Sequence, residues 1–92
     1  MIVSTGMNKT ENVKKTFSIL KKNKIPHAFL HCVNLYPTNF KLVRMGRMLK
    51  FKKIFKKSII GYSDHTEGTD VAKASIVLGA KIIEKHFTLS KD

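Results

Sequence analysis

Four short apolar segments alternate with three longer helical stretches along this chain. The apolar segments are residues 1–3, 28–30, 58–60 and 80–83. Short apolar runs separated by helices are typical of parallel strands joined by right-handed crossovers. The order therefore predicts an α/β fold, β-α-β-α-β-α-β, with all strands parallel. A doubly wound sheet and a (β/α)8 barrel both satisfy this order, and both bind ligands beyond the carboxyl ends of their strands.

The helical stretches have apolar residues at spacings of three and four, which places them on one face of a helix. The stretches are residues 9–22, 40–56 and 70–78, with residue 69 as an alternative start of the third. Asn8 followed by Glu11 predicts a capping box at the start of the first helix. Gly79 predicts the end of the third, since glycine readily adopts the left-handed conformation that follows many helices.

Length and composition limit the class of protein. The chain has 92 residues, enough for one small domain or a piece of a larger one. Its single cysteine, Cys32, excludes an internal disulfide and fits a reducing compartment. No apolar run approaches the roughly 20 residues of a membrane span, and the N-terminus lacks the pattern of a signal peptide. We therefore expect a cytoplasmic protein without a membrane partner.

The net charge of +12 is unevenly distributed. Residues 12–63 contain no Asp or Glu but hold 13 of the 18 Lys and Arg. Such a stretch can bind nucleic acid or an anionic membrane, or it can be the solvated face of lysine-rich helices. We favour the solvated face, because most of the lysines lie on the predicted helices and no nucleic-acid-binding motif accompanies them.

Polar side chains gather at the predicted carboxyl ends of the strands. They are Ser4, Thr5, Asn34, Tyr36, Ser63, His65 and His86. Because parallel strands end at the same edge of a sheet, His65 and His86 could share one divalent cation, with Mn²⁺, Fe²⁺ or Zn²⁺ suited to imidazole. Hydroxyl and amide groups there could hold a phosphate or carboxylate. Structural histidines and turn-forming Ser and Asn explain the same residues, so the residues alone leave both interpretations open.

Four further residues near these strands carry reactive or titratable groups. Glu84 shares a strand face with His86. It could act as an acid–base group, orient the histidine or form a buried structural pair, and the sequence does not favour one of these. Cys32 is interpreted as a buried, inert, small apolar residue. His27 and His31 have no evident partner in the sequence.

Residues 2–7, 30–38, 61–66 and 78–89 together resemble the N-acetylneuraminate (sialic acid) synthase family. The segments follow the family's order at near-family spacing and span almost the whole chain. Known members have a TIM-barrel catalytic domain, a fold of about 250 residues, followed by a small antifreeze-like domain. The resemblance implies that residues 1–92 are a partial barrel domain, strands five to eight of a (β/α)8 barrel. The first four βα units and the antifreeze-like domain are expected to be absent.

The resemblance implies a C–C bond-forming transferase of carbohydrate biosynthesis. Family members condense phosphoenolpyruvate with N-acetylmannosamine to N-acetylneuraminate and phosphate. His65 and His86 are implied to hold a divalent metal, Mn²⁺ or Mg²⁺, which polarises the sugar aldehyde. The positions matched to substrate contacts are Ser4, Asn34 and Ser63 for phosphoenolpyruvate and Tyr36 for the sugar. No catalytic acid or base is assigned by these matches.

Related synthases make legionaminic or pseudaminic acid. His31 before Cys32 favours the sialic acid branch, because the pseudaminic branch tends to carry a lysine there. Residues 45–57 are more basic than the family pattern. We expect the piece to be inactive alone, because contacts from the missing strands are needed and open strand edges remain, so its partner is the missing barrel half or a second copy. The alternative function is a basic nucleic-acid-binding module that uses residues 12–63.

Overall fold

The computed structural model describes residues 1–90, in which four parallel strands form one sheet. The strands are β1 (Ile2–Ser4), β2 (Ala28–Cys32), β3 (Ile59–Asp64) and β4 (Ile83–Lys85). They are hydrogen-bonded in the order β1-β2-β3-β4, and each neighbouring pair is parallel. The predicted α/β class and the parallel arrangement of the strands are confirmed.

Helices connect the strands in the predicted alternation. They are α1 (Thr10–Lys22), α2 (Met45–Ile54) and α3 (Asp70–Val77), with a 3-10 turn at Phe40–Leu42. The prediction of one continuous helix over residues 40–56 is wrong. Arg44 interrupts it with φ 50° and ψ 53°, a left-handed conformation that a right-handed helix cannot contain. Within residues 1–90, no helix is both long enough and apolar enough to cross a bilayer.

Of the two predicted helix ends, the stop at Gly79 is present in the structure and the capping box at Asn8 is not. Gly79 follows α3 with a φ of 101°, so its role as a C-terminal stop is confirmed. The predicted capping box at Asn8 is wrong, because Lys9 precedes α1 and makes no side-chain capping bond. Asn8 instead donates from Nδ2 to the carbonyl oxygen of Gly6 at 2.9 Å. The amide therefore folds the loop after β1 rather than capping the helix.

β3 and β4 lie further along the chain than predicted. β3 extends past its predicted end to Asp64, because the polar side chains of Ser63 and Asp64 bond to β4 instead of starting a turn. β4 covers Ile83–Lys85 rather than residues 80–83. Its register explains the shift, since these three residues pair with the carboxyl half of β3.

The outer face of the sheet packs against the helices. Phe29 of β2 and Ile60 and Tyr62 of β3 face this side, since side chains alternate along a strand. The buried helix residues of the same core are Val13, Leu20, Met48, Phe51 and Phe55. Ring centroids of Phe29 and Phe51 lie 5.2 and 5.8 Å from that of Phe55. These aromatic contacts hold α2 against the middle of the sheet.

The inner face of the sheet depends on one glycine. A Cβ atom at Gly61 would lie 2.6 Å from Cδ2 of Leu30 and would overlap the carbonyl oxygen of Ile82. That oxygen accepts a hydrogen bond from the backbone N–H of Tyr62 at 2.9 Å. Glycine therefore permits the close approach of three neighbouring strand segments at this point.

Gly61→Ala should destabilise the fold by about 1–3 kcal/mol, the usual cost of overpacking. The added methyl group meets the backbone oxygen of Ile82, which cannot move without breaking its bond to β3. The midpoint of urea unfolding measures the effect. Gly46→Ala is the matched control, because no atom of residues 1–90 lies within 4 Å of its Cβ position. Alanine also stabilises a helix by about 0.5–1 kcal/mol relative to glycine. Equal midpoints for the two variants would contradict the prediction.

Candidate functional site

The buried carboxylate of Asp64 fixes the loop that carries His65. Asp64 is fully buried at the end of β3. Its Oδ1 accepts hydrogen bonds from the backbone N–H of Thr66 at 2.9 Å, from the Thr66 hydroxyl at 2.6 Å and from the Tyr62 hydroxyl at 3.2 Å. Because His65 lies between Asp64 and Thr66, these bonds define the position of its backbone.

The same carboxylate reaches the end of β4. Lys85 Nζ lies 2.9 Å from Asp64 Oδ2 and donates to the carbonyl oxygen of Thr66 at 2.7 Å. Burial alone would raise the pKa of Asp64, but hydrogen bonds from Thr66 and Lys85 and the charge of Lys85 outweigh it, so the pKa lies below its usual value. Since His86 follows Lys85, one charged group sets the backbone next to both predicted metal-binding histidines.

His65 and His86 are brought together as predicted. Their ring centroids lie 5.3 Å apart at an interplanar angle of 78°. Each residue directly follows a strand, β3 for His65 and β4 for His86. His65 is half-buried and His86 is exposed. The pair therefore lies at the carboxyl edge of the sheet, where ligands of parallel α/β folds bind.

The hydrogen bond of His65 determines which ring nitrogen is free. Nδ1 lies 2.9 Å from the carbonyl oxygen of Val33. A carbonyl oxygen only accepts, so Nδ1 carries the proton and Nε2 keeps a lone pair. This is the usual arrangement of a metal-binding imidazole, whose other nitrogen is held by a backbone carbonyl or carboxylate. In the described part of the chain, no cluster of three or more His, Cys, Asp or Glu forms a fuller set of metal ligands.

Tyr36 joins the two histidines on the exposed side. Its ring stacks on His86 at 4.8 Å between centroids and 20° between planes, and it meets the edge of His65 at 6.0 Å. The backbone N–H of Thr38 donates to the carbonyl oxygen of His65 at 2.8 Å. The loop after β2 is thus tied to the loop after β3, which places Tyr36 over the histidine pair.

Cys32 has a position that the sequence did not reveal. Its buried thiol lies 3.4 Å from Oδ1 of Asn34 and 3.9 and 4.0 Å from Nδ1 and Nε2 of His65. The thiol donates to the Asn34 amide oxygen, so Asn34 is positioned next to the histidine pair. Its burial was predicted, but its contact with the site was not, because strand pairing rather than local sequence brings Cys32 and His65 together.

Ser63 and Glu84 form a second polar pair on the inner face. The Ser63 hydroxyl is buried and donates to Glu84 Oε1 at 2.7 Å. The two residues are also paired in register between β3 and β4. Glu84 is exposed, so its second oxygen is open to solvent or to a ligand. The predicted substrate-binding hydroxyl is therefore already bonded to an acidic neighbour.

Ser4 lies apart from the other predicted residues. It ends β1, is exposed and pairs in register with Leu30. Within residues 1–90, no hydrogen bond joins its side chain to the histidine pair or to Asn34. The link runs through Gly6, where an added Cβ would overlap the side-chain amide of Asn34. The loop after β1 thus contacts the site through backbone rather than through the Ser4 hydroxyl.

A cavity of about 680 Å³ opens beside the histidine pair. Its lining includes Tyr36, Thr66, Lys85 and His86. Cavities of this volume hold small-molecule ligands. The cleft thus brings together the imidazole of His86, the aromatic ring of Tyr36 and the side chain of Lys85.

The profile of the NeuB family matches residues 1–92. The chain belongs to the NeuB family. Among its relatives, N,N'-diacetyllegionaminic acid synthase of Campylobacter jejuni is 40% identical over 100% of this chain and 28% of its own length. N-acetylneuraminate-9-phosphate synthase of Homo sapiens is 34% identical over 99% of this chain and 25% of its own length. The predicted family is confirmed, and these relatives are synthases.

A solved structure confirms the barrel. The sialic acid synthetase of Leptospira borgpetersenii, solved in complex with citrate, superposes with a TM-score of 0.92 at 36% identity. The match covers 97% of this chain and 31% of that one. The four parallel strands are thus part of a (β/α)8 barrel, as predicted. The chain spans about a quarter of the length of the curated NeuB relatives it matches.

Two functional groups near the sheet edge were missed in the sequence. Arg47 was assigned to a solvated basic face, but its guanidinium donates to the carbonyl oxygens of Thr5, at 3.4 Å, and Asn8, and it stacks over Phe51 at 4.7 Å. His31 is buried and bonds through Nε2 to the carbonyl oxygen of Val43 at 2.7 Å. The contacts of Arg47 and His31 join residues far apart in the sequence, so no local sequence pattern predicts them.

His31 should make the NeuB chain sensitive to acid. Burial lowers its pKa, the bond to Val43 partly opposes this, and the charge of Arg47 lowers it further. The unfolded chain takes up the proton at the usual pKa of about 6.5, whereas the folded chain resists it. Stability is therefore fully present above about pH 6.5 and is lost as pH falls toward the folded pKa.

His31→Gln tests this assignment, because the Gln amide can still donate to the Val43 carbonyl but does not titrate. We expect the free energy of unfolding to fall less steeply between pH 7.5 and 5 in the variant, measured by urea unfolding at each pH. His27→Gln is the control histidine, since His27 lies at the other end of β2. Parallel curves for wild type and His31→Gln would disprove the role of His31.

Proposed function

We propose that this chain forms part of a synthase that condenses phosphoenolpyruvate with N-acetylmannosamine and one water molecule to N-acetylneuraminate and phosphate. The supporting observation is the convergence of His65, His86 and Tyr36 at the carboxyl edge of a NeuB-family sheet. Such an edge is where (β/α)8 enzymes bind their substrates. The reaction forms a C–C bond, so it needs an electrophilic aldehyde held next to the enol carbon.

His65 and His86 are proposed to hold a divalent cation, Mn²⁺ or Mg²⁺, through imidazole nitrogens. When bound, the cation supplies Lewis-acid polarisation of the sugar aldehyde. The Val33 carbonyl keeps the proton on Nδ1 of His65, so Nε2 stays available as a ligand. The stacked Tyr36 ring limits rotation of the His86 ring. The exposed edge of Tyr36 faces the sugar.

Ser4, Asn34 and Ser63 are proposed to hold phosphoenolpyruvate. Asn34 is oriented by the Cys32 thiol, which occupies its amide oxygen and leaves the NH₂ group to donate to a phosphate or carboxylate. Ser63 can donate to the substrate only if its hydroxyl leaves Glu84. Ser4 is exposed at the end of β1, and its hydroxyl is free to turn toward an anion.

A second candidate sugar is the precursor of legionaminic acid. The 40% identity with the Campylobacter jejuni legionaminic acid synthase supports it. His31 before Cys32 supports the sialic acid branch over the pseudaminic branch. A comparison of kcat/KM for N-acetylmannosamine and for the precursors of legionaminic and pseudaminic acid separates these candidates.

The remaining barrel strands are the proposed partner, supplied by the same longer protein, by a separate half or by a second copy. Among the strands of residues 1–90, β1 and β4 each have one neighbour, so each offers an edge for further strands. The water-soluble anionic substrate phosphoenolpyruvate and the free Cys32 favour the cytoplasm as the site of action. The 92 residues alone are proposed to bind metal without turnover.

His65→Ala and His86→Ala should each weaken Mn²⁺ binding by at least about tenfold, since each removes a nitrogen ligand and even outer contacts of metal sites contribute 10–100-fold. Isothermal titration of the chain with MnCl₂ measures the affinity. His27→Gln is the matched control, because it also removes one histidine but lies at the opposite end of β2. Unchanged affinity in both alanine variants would refute the metal assignment.

Phosphate release from phosphoenolpyruvate plus N-acetylmannosamine with Mn²⁺ tests the reaction. We expect no turnover by the 92 residues alone and turnover by a complete barrel that contains them. In that barrel, His65→Ala should lower kcat/KM by about 100-fold or more, the range for loss of a group that stabilises transition-state charge. Robust turnover by the 92 residues would contradict the need for partner strands. A complete barrel that releases no phosphate with any of the three sugars would contradict the function.

A further inference from the structure

A second cavity, of about 690 Å³, opens above the carboxyl ends of β1 and β2. Its walls are the loop after β1, the first turn of α1, the loop after β2 and the start of α2. Asn34 lines this cavity, whereas Tyr36, two residues later, lines the cavity beside the histidine pair. The loop after β2 therefore contributes to two separate cavities.

Positive charge surrounds this second cavity. Lys9, Arg44 and Arg47 line it, and none of the described residues lining it is acidic. The first turn of α1 also lies in the wall, and no side chain in the described part of the chain caps that helix. Uncapped N–H groups and the helix dipole favour an anion at this end. Three cations, an open helix N-terminus and no carboxylate together suit a phosphate group.

His31 indicates that a ligand of this cavity also carries a hydrogen-bond donor. Its ring lines the cavity, and it is 1% exposed. Nε2 donates to the Val43 carbonyl, so Nδ1 carries a lone pair. Nδ1 is buried and has no hydrogen-bond partner among the described residues. A buried acceptor without a partner is unfavourable, and a hydroxyl or amide N–H of a ligand would satisfy it.

We propose that this cavity binds the phosphate monoester of a small polyhydroxylated molecule, that is, a sugar phosphate. Lys9 and Arg44 bind the phosphate, and a sugar hydroxyl donates to Nδ1 of His31. Arg47 contributes charge while its guanidinium holds the loop after β1. The assignment gives two arginines of the acid-free stretch a specific task that a solvated lysine face does not explain.

The site is distinct from the proposed phosphoenolpyruvate site. Ser4, Ser63, His65 and His86 do not line it, and only Asn34 belongs to both sets. Phosphoenolpyruvate also has no hydroxyl to donate to Nδ1 of His31. The two sites therefore adjoin at Asn34, and binding in this cavity does not require the condensation reaction.

Isothermal titration of the 92-residue chain with glucose 6-phosphate, ethyl phosphate, inorganic phosphate and glucose tests the proposal. We expect saturable binding of glucose 6-phosphate, at least about tenfold tighter than ethyl phosphate, which lacks a hydroxyl. Glucose should bind weakest, because it brings no charge. Equal affinity for ethyl phosphate and glucose 6-phosphate would overturn the role of His31, and no saturable binding of glucose 6-phosphate would overturn the site.

The variant Lys9→Gln with Arg44→Asn removes two cations of the cavity and spares Arg47. Asn is chosen at position 44 because it tolerates the left-handed backbone there. Glucose 6-phosphate affinity should fall at least about tenfold, as expected when charged hydrogen bonds are lost. Lys15→Gln with Lys50→Gln changes the net charge equally on exposed positions of α1 and α2 and should change affinity less than twofold. Equal losses in both double variants would show diffuse attraction and overturn the site, and urea midpoints check that both variants fold.

Discussion

The buried carboxylate of Asp64 is the constraint on which the carboxyl edge of the sheet depends. A fully buried charge is tolerated only when it is paired and hydrogen-bonded, and Asp64 meets both conditions through Thr66, Tyr62 and Lys85. Its partners come from β3, from the loop after β3 and from β4. A three-residue strand such as β4 has few backbone bonds of its own, and the ion pair adds a further link between β4 and β3. The positions of the two histidines are consequences of this pairing, because each is the neighbour of a residue in it.

Side chains alternate along β3, so the residues that pack the core and the residues that face the candidate site lie on opposite faces of the strand. Ile60 and Tyr62 point into the helix-covered core, while Gly61 and Ser63 face the inner side. Burial and the nearby Asp64 charge raise the pKa of the Tyr62 hydroxyl, so it remains a donor to that carboxylate at neutral pH. A substitution on one face of β3 therefore affects residues on the other face mainly by shifting the β3 backbone. The absence of a side chain at Gly61 matters as much as the side chains beside it, since it leaves room for the Leu30 side chain and the Ile82 carbonyl oxygen.

The strands, the helices and their parallel order could be predicted because they are encoded in local periodicity. The length of β3 was underestimated, because Ser63 and Asp64 look like turn formers until their bonds to β4 are known. The break at Arg44 has no local signal, since arginine has no preference for the left-handed region. The histidine pair was placed correctly because both residues follow strands that lie side by side.

The rest of the site could not be predicted, because strand pairing and loop packing create it. The sequence predicts Cys32 only as a small, buried apolar residue. Its contact with His65 arises when β2 and β3 pair with Cys32 opposite Ser63. The link between the loops after β2 and β3 is a backbone bond from Thr38 to His65, which no side-chain pattern encodes. Ser4 shows the reverse case, since its motif places it at the sheet edge, but within residues 1–90 its side chain makes no hydrogen bond to the other predicted site residues.

Two kinds of positive charge must be separated to explain the basic character of this chain. Lysines such as Lys15 and Lys50 are exposed on helices, so their field is screened over about 10 Å at moderate salt, and it raises the local concentration of anions without fixing their position. Arg47 differs, because its guanidinium is oriented by two backbone carbonyls and an aromatic ring. An oriented cation next to a helix N-terminus selects geometry as well as charge. Salt therefore weakens the attraction of the helix surfaces more than it weakens a phosphate bound by Lys9 and Arg44 beside Arg47. This difference distinguishes a basic surface from a binding site.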